Sequence, residues 1–164
     1  MRTKSAVLAL TFTLTSAFAA TAAQPTRIKQ FEAWGVYSYS NNGQTSCYAL
    51  SVPTTSAPAS VNHGDNFFLI SPQGQAYMPQ AIMGYALRQG SDVAVAVDNE
   101  RFELAPRENT AWVRDQSREP ALVNAMRGGS RMTVQATSGR GTATSYSYSL
   151  SGVTAALQEV SRCR

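Results

Sequence analysis

In the stretch Val61-Asn62-His63-Gly64-Asp65, a histidine and an aspartate stand two residues apart, and Cys47 lies upstream. A thiol, an imidazole base and an orienting carboxylate are the parts of a Cys-His-Asp site for acyl transfer. His63 is the only histidine of the 164-residue chain, so any imidazole chemistry belongs to it. The same residues read equally well as a turn. Asn62, Gly64, Asp65 and Asn66 are all turn formers, and the compact apolar strand Asn66–Ser71 (NFFLIS) follows at once.

The cysteine count weighs against catalysis. The chain has two cysteines, Cys47 and Cys163. Its first residues, MRTKSAVLALTFTLTSAFAATAAQPT, have the organisation of an export signal, with Arg2 and Lys4 ahead of a short apolar run and small residues after it. That run is too short to span a bilayer. Cleavage is expected after Ala23 or after Ala19, which leaves residues 24–164 as one exported domain with no later membrane-crossing segment. In an oxidising compartment two cysteines are expected to pair as Cys47–Cys163, the alternative being two free thiols. A paired Cys47 cannot be a nucleophile, because the thiolate is the reactive form. One histidine without a free cysteine also falls short of the usual zinc ligand sets, so no metal or other cofactor is expected. A Ser-His-Asp site at His63 with a distant serine remains the enzymatic alternative, although no G-x-S-x-G elbow accompanies it.

The charge balance excludes other classes. Removing Arg2 and Lys4 from the 14 basic residues leaves 12 against 10 acidic ones. The basic residues form no cluster, so a nucleic-acid surface is not expected. Arg127-Gly-Gly-Ser-Arg131 and Ser138-Gly-Arg-Gly-Thr142 are Gly/Arg-rich, but match neither phosphate-binding fingerprint and read as a helix stop and a hairpin turn. Trp34, Tyr37, Tyr39 and Trp112 could line a ligand groove or pack a small β core. Arg101, Arg107, Arg114 and Arg118 are interspersed with acidic residues, as on an ordinary solvated surface.

The elements that would position these residues are mostly strands. Phe31–Tyr39, Ser46–Val52, Asn66–Ser71, Ala81–Leu87, Asp92–Val97, Arg101–Leu104, Thr110–Arg114, Arg131–Thr137 and Thr142–Leu150 carry β-rich or alternating patterns. Asn41-Asn42-Gly43 and Asp98-Asn99 read as turns, and 53–65 as a loop. Tyr146, Tyr148 and Leu150 alternate with serines, which predicts one buried face. Two helices are predicted: Ser117–Met126, stopped by Gly128-Gly129, and Ser151–Val160, with Ser151 as its cap and Val153, Ala156, Leu157 and Val160 on one stripe. About eight short strands with close turn signals indicate a β-sandwich.

Several segments together resemble the invasion-associated locus B family of exported bacterial envelope proteins. They are FEAWGVY, SCYALSVP, VAVDNERFEL, ALVNAMRGGSRMTVQAT and the closing SYSYSLSGVTAALQEVSRC, and they run over nearly all of the expected mature chain. The resemblance implies an immunoglobulin-like β-sandwich in the periplasm or envelope, with no enzymatic activity and no catalytic residues to carry over. Family members often have further cysteines after the early tryptophan and in mid-chain. Here those places read Val36-Tyr37-Ser38 and Thr110-Ala111-Trp112, which implies one bridge rather than two. The expected function is non-catalytic binding of another macromolecule, an envelope or host protein, in host-cell interaction or envelope maintenance. The alternative is a periplasmic hydrolase using His63. The ligand, the partner and the oligomeric state stay open at this level.

Overall fold

The computed structural model describes residues 24–41 and 43–163; the expected signal segment and Asn42 of the expected turn lie outside them. Eleven strands form one hydrogen-bonded ladder, and each described strand pair is antiparallel. In chain order the strands are β1 (Thr26–Phe31), β2 (Trp34–Asn41), β3 (Gln44–Ser51), β4 (Thr55–Ala57), β5 (Phe67–Gln73), β6 (Ala76–Ile82), β7 (Val93–Val97), β8 (Glu100–Arg107), β9 (Thr110–Val113), β10 (Arg131–Thr137) and β11 (Ala143–Ser149). The two helices are α1 (Glu119–Gly128) and α2 (Val153–Arg162). Across the ladder the order is β1-β2-β3-β5-β6-β9-β8-β7-β10-β11-β4.

Alternation explains why this ladder doubles back. Every second residue of β7, β10 and β11, and of the stretches Cys47–Ser51 in β3 and Phe68–Ile70 in β5, is buried, so one face is apolar and must be covered. The two ends of the ladder cover each other. Phe68 of β5 meets Tyr148 of β11 edge to face, with ring centroids 6.0 Å apart, although five strands separate them in the ladder. Trp34 of β2 is fully buried, and its indole N–H donates to the Ser149 carbonyl at the end of β11. The result is the expected mainly-β sandwich with a mid-chain and a C-terminal helix. Its two layers are halves of one continuous ladder.

The helices fill the inner side. Val153, Ala156, Leu157 and Val160 are all buried, as their 3.6-residue spacing predicts. Tyr77, from the inner face of β6, donates its hydroxyl to the Leu157 carbonyl at 2.9 Å. Cys163, just past α2, is bonded to Cys47 on the inner face of β3, with Cα atoms 6.0 Å apart. α1 packs Leu122, Val123 and Met126 inward and reaches Gly128, with Gly129 capping it.

Four expectations need correction. Ser151 is not the cap of α2; Gly152 is, with φ 90°. A Cβ there would stand 2.0 Å from the Phe31 carbonyl oxygen, so only glycine fits between α2 and β1. Ser117 does not cap a helix either. It sits inside a single 3-10 turn, Gln116–Arg118, whose cap is Asp115, and α1 begins after it with Pro120 in its first turn. The strand expected at Ala81–Leu87 is instead Ala76–Ile82, with Pro79 buried inside it. The loop 53–65 contains the three-residue edge strand β4.

Candidate functional site

His63 projects from the turn between β4 and β5. Asn62 Oδ1 accepts from the Gly64 N–H, and Asn66 ties the turn down by donating to the His63 and Gly64 carbonyls. Asn66 Oδ1 also accepts from the Gly84 N–H on the segment after β6. Gly64 and Gly84 press together: a Cβ on Gly84 would lie 2.5 Å from the Asp65 nitrogen. This clasp fixes the imidazole against β11.

Both ring nitrogens are occupied. Nδ1 lies 2.8 Å from the Tyr146 hydroxyl and Nε2 lies 2.9 Å from the Pro58 carbonyl oxygen. The ring meets Tyr146 edge-on, with centroids 5.3 Å apart. Tyr146 donates to Tyr85 at 3.1 Å, Tyr85 and Thr144 share a 2.7 Å hydrogen bond, and Thr144 donates to the Ala136 carbonyl at 3.2 Å. Burial, reinforced by the Tyr85 hydrogen bond, pushes the Tyr146 phenol well above the usual tyrosine range. Burial does the same to Tyr148, whose hydroxyl is fully buried without a hydrogen-bond partner among the described residues.

The three residues of the sequence's candidate triad therefore part company. Cys47 is in the disulfide. Asp65 is exposed, and the ring's hydrogen-bond partners are Tyr146 and Pro58 instead. Beside the chain lies a cleft of about 460 Å³ lined by Val61, Asn62, Tyr85, Arg140, Thr142 and Thr144 among others. Among the described residues no group of three His, Cys, Asp or Glu side chains is placed to hold a metal ion.

A second feature lies on the outer face of the sandwich. Residues of β2, β3, β5, β6 and β9 that alternate with the buried ones stand in register there. Tyr37 pairs with Tyr48, and their rings stack 5.7 Å apart. Leu50, Leu69, Gln80 and Trp112 form the next row. Phe67 and Ile82 pair in the row beyond, beside Val52, which at 54% is the most exposed large apolar side chain described. α2 occupies the opposite face, as the contacts of Tyr77 and Cys47 place it, and Arg127 of α1 lies over the Tyr77 ring on that same side. Of the four aromatics singled out from the sequence, Trp34 is core, whereas Tyr37, Tyr39 and Trp112 are half-buried. The sequence did carry a signal for this face. From Ala33 to Leu87 the only Asp, Glu, Lys or Arg is Asp65, so a long run of strands offers no charge to keep its outer rows wet. The other half of the ladder is different: outward positions on β8 include the charged Arg101 and Glu103, and those on β7 and β11 are the small residues Ala94, Ala96, Ser145, Ser147 and Ser149.

The family model described as "Invasion associated locus B (IalB) protein" matches residues 34–161. That span runs from the buried Trp34 to the last turn of α2. The chain belongs to the IalB family. A solved structure with this fold is the crystal structure of invasion associated protein B from Bartonella henselae. It aligns with a TM-score of 0.62 at 13% sequence identity, covering 82% of this chain and 94% of that one. At that identity the likeness is one of fold. None of the curated proteins matches the chain. The fold expected from the resemblance is thus the one found for this IalB-family chain. Among its described residues no helix is long and apolar enough to cross a membrane.

Proposed function

We propose that this IalB-family chain is an exported, single-domain, non-catalytic protein of the periplasm or envelope, and that it works by binding another protein. The observation that carries the reading is the uncharged aromatic face of β2, β3, β5, β6 and β9. Tyr and Trp are enriched where proteins bury surface against each other, and charged residues are depleted at the centre of such patches. Contiguous apolar surface on a folded chain is a common mark of an interaction site. The partner's complementary patch is accordingly apolar and poor in charge. Against the hydrolase alternative stands the occupancy of His63: with Nε2 on a carbonyl and Nδ1 on a tyrosine, neither nitrogen is placed to take a proton from a nucleophile.

The test is affinity capture from envelope extracts of the source bacterium with wild type, Tyr48→Ser/Trp112→Ser and His63→Ala as baits. The reading expects one partner set held by wild type and His63→Ala and lost by the outer-face variant. Equal capture by the outer-face variant, or a substrate turned over by wild type and not by His63→Ala, contradicts it.

A further inference from the structure

The lining of the cleft beside Tyr85 is held in place by hydrogen bonds, and what it leaves free is positive charge and N–H donors. Val61 and Asn62 form one side, tied down where Asn62 Oδ1 accepts from the Gly64 N–H and Asn66 donates to the His63 and Gly64 carbonyls. Another side is the Gly/Arg-rich turn Ser138–Thr142 between β10 and β11. There the Ser138 N–H donates to the Thr142 carbonyl, Ser138 Oγ accepts from the Thr142 N–H, and the Gly139 N–H donates to the Ala86 carbonyl. Gly141 has φ 90°, a conformation that glycine takes without strain. Tyr85 and the buried Thr144 also line the cleft. Their hydroxyls are spent on each other, on Tyr146 and on the Ala136 carbonyl.

The charged side chain of the lining is Arg140, and no carboxylate shares the cleft with it. Arg88 is close by: its Nη1 would stand 4.0 Å from a Cβ on Gly141. Among the described residues neither guanidinium makes an ion pair. Asn62 spends its Oδ1 on Gly64, which leaves its NH2 as a donor. Other depressions of the surface differ in charge. The one at β8 and β9 combines Arg101, Arg114 and Arg118 with Glu103 and Asp115, and Arg114 is already bonded to Asp92. The one beside α1 presents Asp98 and Glu100. Val61, Ala86 and the Tyr85 ring add apolar surface, and the volume of about 460 Å³ falls in the usual range of small-molecule sites, roughly 300–1,000 Å³. We propose that this cleft binds a small organic anion: a carboxylate on Arg140 and Asn62, with an apolar body against Val61 and Tyr85. A guanidinium holds a carboxylate through two parallel N–H bonds. One lining arginine between apolar groups suits a single charge on an apolar body better than a phosphate, which gathers several donors. The carboxylate is that of a free acid or of a peptide C-terminus. The cleft shares no residue with the outer aromatic face, and the proposal does not rest on the protein-binding reading.

The test follows amide chemical shifts of the exported chain, disulfide intact, during titration with phenylbutyrate and with an acetylated tripeptide ending in a free phenylalanine carboxylate. Phenylbutanol and inorganic phosphate are the controls, each taken to about 10 mM, above the millimolar range of weak ligands. The carboxylates should shift the amides of Val61, Ala86 and Arg140 saturably, and the controls should bind at least about ten-fold more weakly. Arg140→Gln should weaken binding about ten-fold or more, as the loss of a charge-assisted pair of hydrogen bonds implies. Arg101→Gln on β8 should leave it unchanged. Asn62→Asp keeps the acceptor for the Gly64 N–H but puts a negative charge in the lining, so it too should weaken binding about ten-fold. Tighter binding of the tripeptide marks a peptide C-terminus as the source, and tighter binding of phenylbutyrate a free acid; either supports the site. No shift at these amides with both carboxylates, a control that binds as tightly as they do, or unchanged affinity in Arg140→Gln or in Asn62→Asp overturns the proposal. If one of the two variants fails to fold, the other decides.

Discussion

The indole N–H of Trp34 donates to the carbonyl of Ser149 at 3.0 Å, joining the first residue of β2 to the last residue of β11. Nearby, Ala33 N–H donates to the Ser151 carbonyl and Ser51 Oγ to the Ala33 carbonyl. These bonds close the ladder on itself where its two halves meet. Trp34→Phe keeps an aromatic ring but leaves the Ser149 carbonyl unpaired in a buried seam and removes part of the packing. It should cost about 2–3 kcal/mol. Urea melts check this, with an unchanged slope expected.

The Cys47–Cys163 bond holds α2 to the inner face of β3. It closes a loop of more than a hundred residues, for which chain-entropy models give roughly 4–5 kcal/mol. The Cys47→Ser/Cys163→Ser double variant should lose a few kcal/mol in denaturant melts. Peptide mapping without reductant should find the two cysteines in one cross-linked pair.

The stripe of α2 makes an internal comparison. Leu157 is fully buried, whereas Glu159 is a half-buried residue off the stripe that lies 3.8 Å from the exposed Arg162 guanidinium. Leu157→Ala should cost about 2–4 kcal/mol through lost burial and a cavity. Glu159→Ala should change stability by less than about 0.5 kcal/mol. Equal melting midpoints for the two variants would contradict docking of α2 through this stripe.

Glu119 opens α1 and is buried. Burial raises its carboxyl pKa above the ordinary glutamate value. The folded state therefore binds this proton more tightly than the unfolded one. Its contribution to stability is fully present below the unfolded pKa and is lost as pH rises through the folded one. Glu119→Gln should raise the melting midpoint at neutral pH and leave it nearly unchanged in acid. Denaturant melts on either side of the glutamate range measure the difference.

The inner half of this fold was legible and much of the rest was not, for physical reasons. Tyr146 and Tyr148 alternate with serines, and Val153, Ala156, Leu157 and Val160 recur at helical spacing. Those periods exist because the face they mark is buried, so they are visible wherever burial is one-sided. β1 and β4 are exposed edge strands. Apart from Phe31 their side chains are exposed, so Thr26–Phe31 and Thr55–Ala57 carry no alternation to find. Pro79 hid the start of β6, since a proline ordinarily argues against a strand interior. At the site, the turn chemistry of Asn62 to Asn66 and the pairing of Cys47 were readable. Tyr146 as the partner of His63, and Tyr85 behind it, were not, because residues 83 and 22 positions away from His63 are brought together only by the doubled ladder.

The most direct test of a binding function on the outer face is oxidative footprinting of the exported chain, alone and in envelope extract, read at Tyr37, Tyr48 and Trp112. Isolated, these half-buried side chains should be modified readily, and a bound partner should protect all three together while leaving Tyr77 on the opposite face of β6 unprotected. Unchanged modification of the three in extract, with protection confined to the cleft beside Tyr85 and Arg140, would contradict the account.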